Sequence, residues 1–79
     1  MSQVDPQKVE ELQMLLLKNP RSPAFANLAE AYWKMGMLEE ALEVTSKGVR
    51  HNPEYVSGLV AHGKILFELK DYKDAIRIL

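Results

Sequence analysis

Two stretches of this chain, thirty-four residues apart, follow one pattern: "AEAYWKMGMLEEALE" over 29–43 and "GKILFELKDYKDAIR" over 63–77. Few letters match, but sizes do. At this offset Phe25 pairs with Leu59, Ala29 with Gly63, Tyr32 with Leu66 and Trp33 with Phe67. Leu38 then pairs with Tyr72, Ala41 with Ala75 and Leu42 with Ile76. Small stands for small and large for large, as close helix crossings require. A period of this length implies stacked supersecondary units, each too small to bury its own apolar face.

The units are helical. Asp5 is a candidate N-cap and Pro6 a first helical residue, where the missing N–H costs nothing. Val9, Leu12, Leu15 and Leu16 recur at helical spacing until Asn19 and Pro20 stop the segment. Ser22 and Pro23 repeat the entry, and Gly36 suits a left-handed helix end. Asn52 and Pro53 break the chain again, and Asp71 is a candidate N-cap near its end. No period-two alternation or Asn-Gly turn argues for a strand. The spacing predicts an all-α chain with five helices near 6–18, 23–35, 38–50, 54–69 and 72–79. Inward positions on the fourth would be Leu59, His62, Gly63 and Leu66, and on the fifth Tyr72, Ala75, Ile76 and Leu79.

At this point the chain resembles the tetratricopeptide repeat (TPR) family, whose helix–turn–helix unit has the same period and the pattern W-x2-L-G-x2-Y…A-x3-F…P. The first copy places Phe25, Leu28, Ala29, Tyr32, Ala41, Thr45 and Pro53 in those slots, with Phe for Trp, Ala for Gly and Thr for Phe. The second places Leu59, His62, Gly63, Leu66, Ala75 and Leu79. The resemblance covers Ser22 to Leu79 and implies a right-handed solenoid of helical hairpins. Its units would be a leading helix or partial repeat over 1–20, a repeat over 22–55 and a truncated repeat over 56–79. With two repeats and a fraction, the chain reads as part of a longer array, and the open edge at its last helices invites self-association.

Composition narrows the chemistry. A net charge of -1 over 79 residues gives no bulk attraction to nucleic acid or an anionic membrane. Cysteine is absent, which excludes disulfides and thiolate metal sites. The run Met14–Leu17 is far too short to span a bilayer, and the polar start is unlike a secretory signal, so a cytoplasmic location is the default expectation. No glycine-rich phosphate loop or nucleophile elbow occurs. His51 and His62 lie on different helices, the first near a helix C-terminus and the second in a packing slot. The adjacent acids Glu10–Glu11 and Glu39–Glu40 diverge by about 100° on a helix. They read as solvated faces. No catalytic, cofactor-binding or metal-ligating set is therefore expected.

In the TPR family the first helix of each unit lines a concave groove for peptides or partner helices. The resemblance assigns Ala26, Glu30 and Trp33 to that groove, with Val60, Lys64 and Phe67 as their repeat counterparts and Lys34 and Glu68 at its margin. Trp33 and Phe67 would form an aromatic ladder, and Glu30 and Lys64 would pair across the repeats. Some members hold a terminal carboxylate with a clamp of Lys, Arg and Asn, from which the opposite signs of Glu30 and Lys64 and the apolar Ala26 and Val60 depart. The resemblance thus implies a non-catalytic module binding a protein or peptide. RNA binding by a helical repeat, or service as an accessory domain of a larger enzyme, are the alternatives. Against RNA, the basic residues from Lys34 to Arg77 are interleaved with acids.

If Ala41 sits at a helix crossing, Ala41→Leu overpacks it and costs about 1–3 kcal/mol. Thermal unfolding checks this, and an unchanged midpoint would argue against the repeat.

Overall fold

The computed structural model describes residues 4–78, without the side chains at 72 and 74–78. These residues form α1 (Pro6–Lys18), α2 (Phe25–Lys34), α3 (Leu38–His51) and α4 (Val56–Ile78). The chain is all-α. Asp5 caps α1 by accepting the Gln7 amide at 3.0 Å, with Pro6 behind it. Ser22 is buried, and its Oγ accepts the Ala24 amide at 3.1 Å, so a tight turn leads into α2 and the helix proper begins at Phe25. Gly36, at φ 77°, ends α2. Its amide donates to the Trp33 carbonyl at 3.0 Å and the Met37 amide to the Tyr32 carbonyl at 2.9 Å, a Schellman pattern.

The expected fifth helix is not separate. Residues 56–78 run as one helix, where the spacing predicts a break near Asp71. The counterpart of Gly36 at the thirty-four-residue offset is Lys70. A side chain in the left-handed conformation costs about 1–2 kcal/mol. Among the described residues only glycine takes positive φ. Lys70 therefore continues the helix, and Asp71 becomes an interior residue rather than a cap. The straight course carries Lys73 past the start of α3, where its Nζ lies 3.9 Å from Glu39 Oε2. The expected inward side chains of Tyr72, Ala75, Ile76 and Leu79 lie outside the described residues.

Phe25 is the most enclosed large side chain, with Ile65 and Thr45. Its ring lies against two glycines, Gly48 of α3 and Gly58 of α4, where an added Cβ would collide with ring atoms. Tyr55 meets its edge, the ring centroids 6.0 Å apart and the planes at 76°. Two apolar clusters flank this contact. Val9, Leu12 and Leu28 join α1 to α2, and Ala29, Ala41 and Ile65 join α2, α3 and α4. Ala29 and Ala41 are both fully enclosed, as the repeat predicts. Tyr32 and Val44 touch both clusters, and Gln13 Nε2 donates to the Tyr32 hydroxyl at 2.6 Å.

One buried polar contact ties α3 to α4. The Thr45 hydroxyl donates to the Ala41 and Leu42 carbonyls, each 3.1 Å away. With that proton committed, His62 Nδ1 is the donor in the 2.8 Å contact between the two side chains. In the loops, Asn52 Nδ2 donates to the Arg21 carbonyl at 3.0 Å and links the two ends of the α2–α3 hairpin.

α4 corrects a second expectation. Leu59 and Leu66 are 44% and 45% exposed, and Gly63 faces open space. Among the described side-chain positions of α4, the buried ones are Gly58, Ile65 and Leu69. The repeat equates Leu59, Gly63 and Leu66 with Phe25, Ala29 and Tyr32, which face α3. Without a returning fifth helix, the equivalent face of α4 has no partner among the described residues.

The two kinds of glycine should separate in unfolding experiments. Gly48→Ala drives a methyl into the Phe25 ring and should cost about 1–3 kcal/mol. Gly63→Ala meets nothing and should gain about 0.5–1 kcal/mol of helix propensity. Urea titration of the two variants measures both signs.

Candidate functional site

α2 and α4 lie side by side and leave an open cleft of about 310 Å³ between them. Its α2 wall consists of Ala26, Asn27, Glu30 and Trp33, of which Ala26, Glu30 and Trp33 are successive one-turn neighbours on a helix. Its α4 wall consists of Ser57, Val60, Ala61, Lys64 and Ile65, and Tyr55 closes the end near the α3–α4 loop.

Trp33 is the dominant side chain. It is half-buried, with one part packed on the Ala29, Ala41 and Ile65 cluster and the rest facing the cleft. Its indole N–H donates to Glu68 Oε2, one turn along α4 from Lys64. The Lys64 ammonium lies over the ring, 4.5 Å from the centroid. Such a contact at an exposed site contributes about 0.5–1 kcal/mol. Glu30 pairs with Lys34 on its own helix at 3.7 Å, the favourable order for an i,i+4 pair but worth only about 0.3–0.5 kcal/mol. Charges around Trp33 thus balance in sign, two acids against two bases.

Five of the eight expected groove residues line this cleft: Ala26, Glu30, Trp33, Val60 and Lys64. Glu68 reaches it through the indole hydrogen bond. Lys34 lies instead in a shallow depression between α1 and α2, with Asp5 and Lys8. Phe67 is absent from the lining and strongly exposed. The ladder of Trp33 and Phe67 does not form. The aromatic pair among the described residues is Phe25 with Tyr55, and the partner of the Trp33 ring is Lys64. Nor do Glu30 and Lys64 pair, since Glu30 bonds Lys34.

The repeat offset points to 60, 64 and 67, and of these Val60 and Lys64 line the cleft beside Ser57, Ala61 and Ile65. At about 100° per residue, Phe67 falls roughly 60° from Lys64 towards solvent. Asn27, Tyr55, Ser57, Ala61 and Ile65 were missed. Asn27 and Ala61 are themselves thirty-four residues apart, so the repeat could have supplied them as a pair. Tyr55 lies in the loop ahead of α4, and no repeat signal marks it. Among the described residues no cluster of three acids or histidines could hold a metal, and no helix is long and apolar enough to cross a membrane.

No family model matches the chain, and no solved structure matches it. Similar curated proteins do exist. The chain is 29% identical over 72 residues to Hsp70-Hsp90 organizing protein 2 of Arabidopsis thaliana. It is 31% identical over 72 residues to Hsp70-Hsp90 organizing protein 3 of the same plant, and 26% to Hsp70-Hsp90 organizing protein 1 of Glycine max. Each alignment covers 90% of this chain and 13% of the relative. The chain thus spans about an eighth of the length of these relatives.

Trp33 is the sole tryptophan of the sequence, so its emission reports on the cleft. Lys64→Ala removes the cation covering the ring and should raise collisional quenching by acrylamide. The fold should lose no more than about 1 kcal/mol. A quenching constant unchanged from the parent would contradict the stacked geometry.

Proposed function

We propose that the chain is a non-catalytic protein-interaction module of the TPR type, and that the α2–α4 cleft takes side chains of a peptide or partner helix. The observation that carries the reading is a half-buried tryptophan on the wall of an open cleft, held by the stacked Lys64 and the Glu68 hydrogen bond. A partly exposed aromatic fixed by its neighbours loses little entropy when a ligand covers it, a property of binding hot spots. A cleft of this volume suits one or two anchoring side chains rather than a whole helix. Balanced charge around Trp33 favours apolar anchoring with modest salt dependence. The thirty-four-residue repeat and the similarity to Hsp70-Hsp90 organizing proteins support an adaptor role. Nucleic acid is disfavoured because Lys64 is the single basic residue lining the cleft, opposite Glu30.

A second reading joins the relatives' name to the terminal-carboxylate clamp of some TPR members: the chain takes part in organising chaperones by holding their carboxyl-terminal tails. The two readings differ in what anchors the ligand. Peptides from chaperone C-termini, prepared as free acid and as amide, separate them when titrated against Trp33 emission. Equal binding of the two forms favours apolar anchoring, and loss of binding on amidation favours the tail adaptor.

Whichever peptide binds, Trp33→Ala should weaken it by about 2 kcal/mol or more. Because Trp33 also packs on the core, Val60→Asp at the cleft rim provides a second variant that leaves the core intact. Retained affinity in both, measured by calorimetry with unchanged helical circular dichroism, would remove the cleft from the binding site.

A further inference from the structure

α4 is apolar on two opposite sides. Its inner side is Gly58, Ile65 and Leu69. Its outer side carries Val56, Leu59, Val60, Leu66 and Phe67, with Val56 68% and Phe67 69% exposed. At about 100° per residue these five fall within an arc of roughly 120°, with Gly63 at its centre. Nothing lies within 4 Å of where a Gly63 Cβ would be. The exposed fractions amount to roughly 500 Å² of apolar side chain, at the upper end of what a monomer leaves uncovered.

We propose that this face is the seat of a second copy of the chain, with the two α4 helices antiparallel about a two-fold axis at Gly63. The proposal is independent of the α2–α4 cleft, which lies on another side of α4 and shares only Val60 at its rim. The argument for a second copy is that the stripe is complementary to its own reverse. Positions equidistant from Gly63 are both apolar: Leu59 meets Phe67, and Val60 meets Leu66. One step further, Val56 meets Lys70, whose ammonium then lies beside Glu54, just before the start of the other α4. That charge pair forms twice. Among the described residues neither Lys70 nor Glu54 is in an ion pair, whereas Lys73 is engaged by Glu39 and Lys64 by Trp33.

Gly63 at the axis removes the side chain that would hold the helices apart, so their axes can approach to the lower end of the usual 8–10 Å. The paired stripes bury about 1,000 Å² in total, the smallest area expected of a specific interface. The association should therefore be weak. It should also stop at two, because a two-fold contact uses the same patch on both copies and closes.

Sedimentation equilibrium of the 79-residue chain from micromolar to millimolar concentration tests this. The expected result is a reversible monomer–dimer equilibrium with no larger species. Phe67→Glu should weaken dimerisation about tenfold or more with the helical signal retained, while Trp33→Phe leaves it unchanged. The register has its own test. Lys70→Glu should weaken the dimer, and adding Glu54→Lys should restore it. A single cysteine introduced as Gly63→Cys should form a disulfide-linked dimer under mild oxidation much faster than Glu11→Cys on α1. A strictly monomeric chain at millimolar concentration, or a dimer indifferent to Phe67→Glu, overturns the proposal and leaves the stripe to a different partner. A dimer that the double charge reversal does not restore overturns the two-fold register.

Discussion

The contact of the Phe25 ring with Gly48 and Gly58 sets the geometry of the whole molecule. An aromatic side chain at the start of α2 can be enclosed only if α3 and α4 both come close, and two glycines remove the atoms that would prevent it. That single contact fixes α2 against two helices at once. Ala29 and Ala41 extend the close approach along the α2–α3 crossing, and Ile65 brings α4 into the same cluster. The α2–α4 cleft is a consequence. The helices converge on the Phe25 contact and on the Ile65 cluster, and the space left beside them is bounded by residues one turn apart on each helix.

Trp33 connects this framework to the proposed binding cleft. Its buried part extends the Ala29, Ala41 and Ile65 cluster, so the indole is positioned by the core and not by the cleft. Its open part is held by two residues of α4, Lys64 on the ring face and Glu68 at the indole nitrogen. Both contacts are weak individually and lie towards solvent. An arriving apolar side chain can displace the ammonium at small cost, because the charge returns to water rather than being stranded. In the proposed binding role, core positioning and an easily exchanged cover would make Trp33 a preorganised anchor.

α4 shows how a regular repeat can lead sequence reasoning astray. Matching Leu59, Gly63 and Leu66 to Phe25, Ala29 and Tyr32 assumes that each copy has the same neighbours. In the first copy Gly36 takes a left-handed conformation and returns the chain as α3. In the second, Lys70 does not, and α4 continues. Residues with inward sizes are then left facing outward, while a different arc of the helix meets α2 and α3. Phe67 lies outside the α2–α4 cleft and is strongly exposed. Thr45 and His62 are the opposite case. Each departs from the apolar slot that the repeat pattern assigns it. In space they are one hydrogen-bonded pair that leaves neither polar group unsatisfied.

Local chemistry and spacing alone were enough for the helical class, the period, the Asp5 cap, the turn at Gly36 and the burial of Ala29 and Ala41. Each depends on backbone conformation or on side-chain size within one helical pair, and both are written in consecutive residues. The exposed Leu59, Gly63 and Leu66 face of α4, the pocket of Phe25, the stacking of Lys64 on Trp33 and the link from Asn52 to Arg21 were decided by tertiary structure. They depend on which helix lies opposite which, and a single pattern of apolar residues is compatible with more than one such arrangement. In α4 apolar residues occur on both sides, so its own sequence does not distinguish inside from outside, and only the packing of Gly58 against Phe25 and of Ile65 between Ala29 and Ala41 makes the choice.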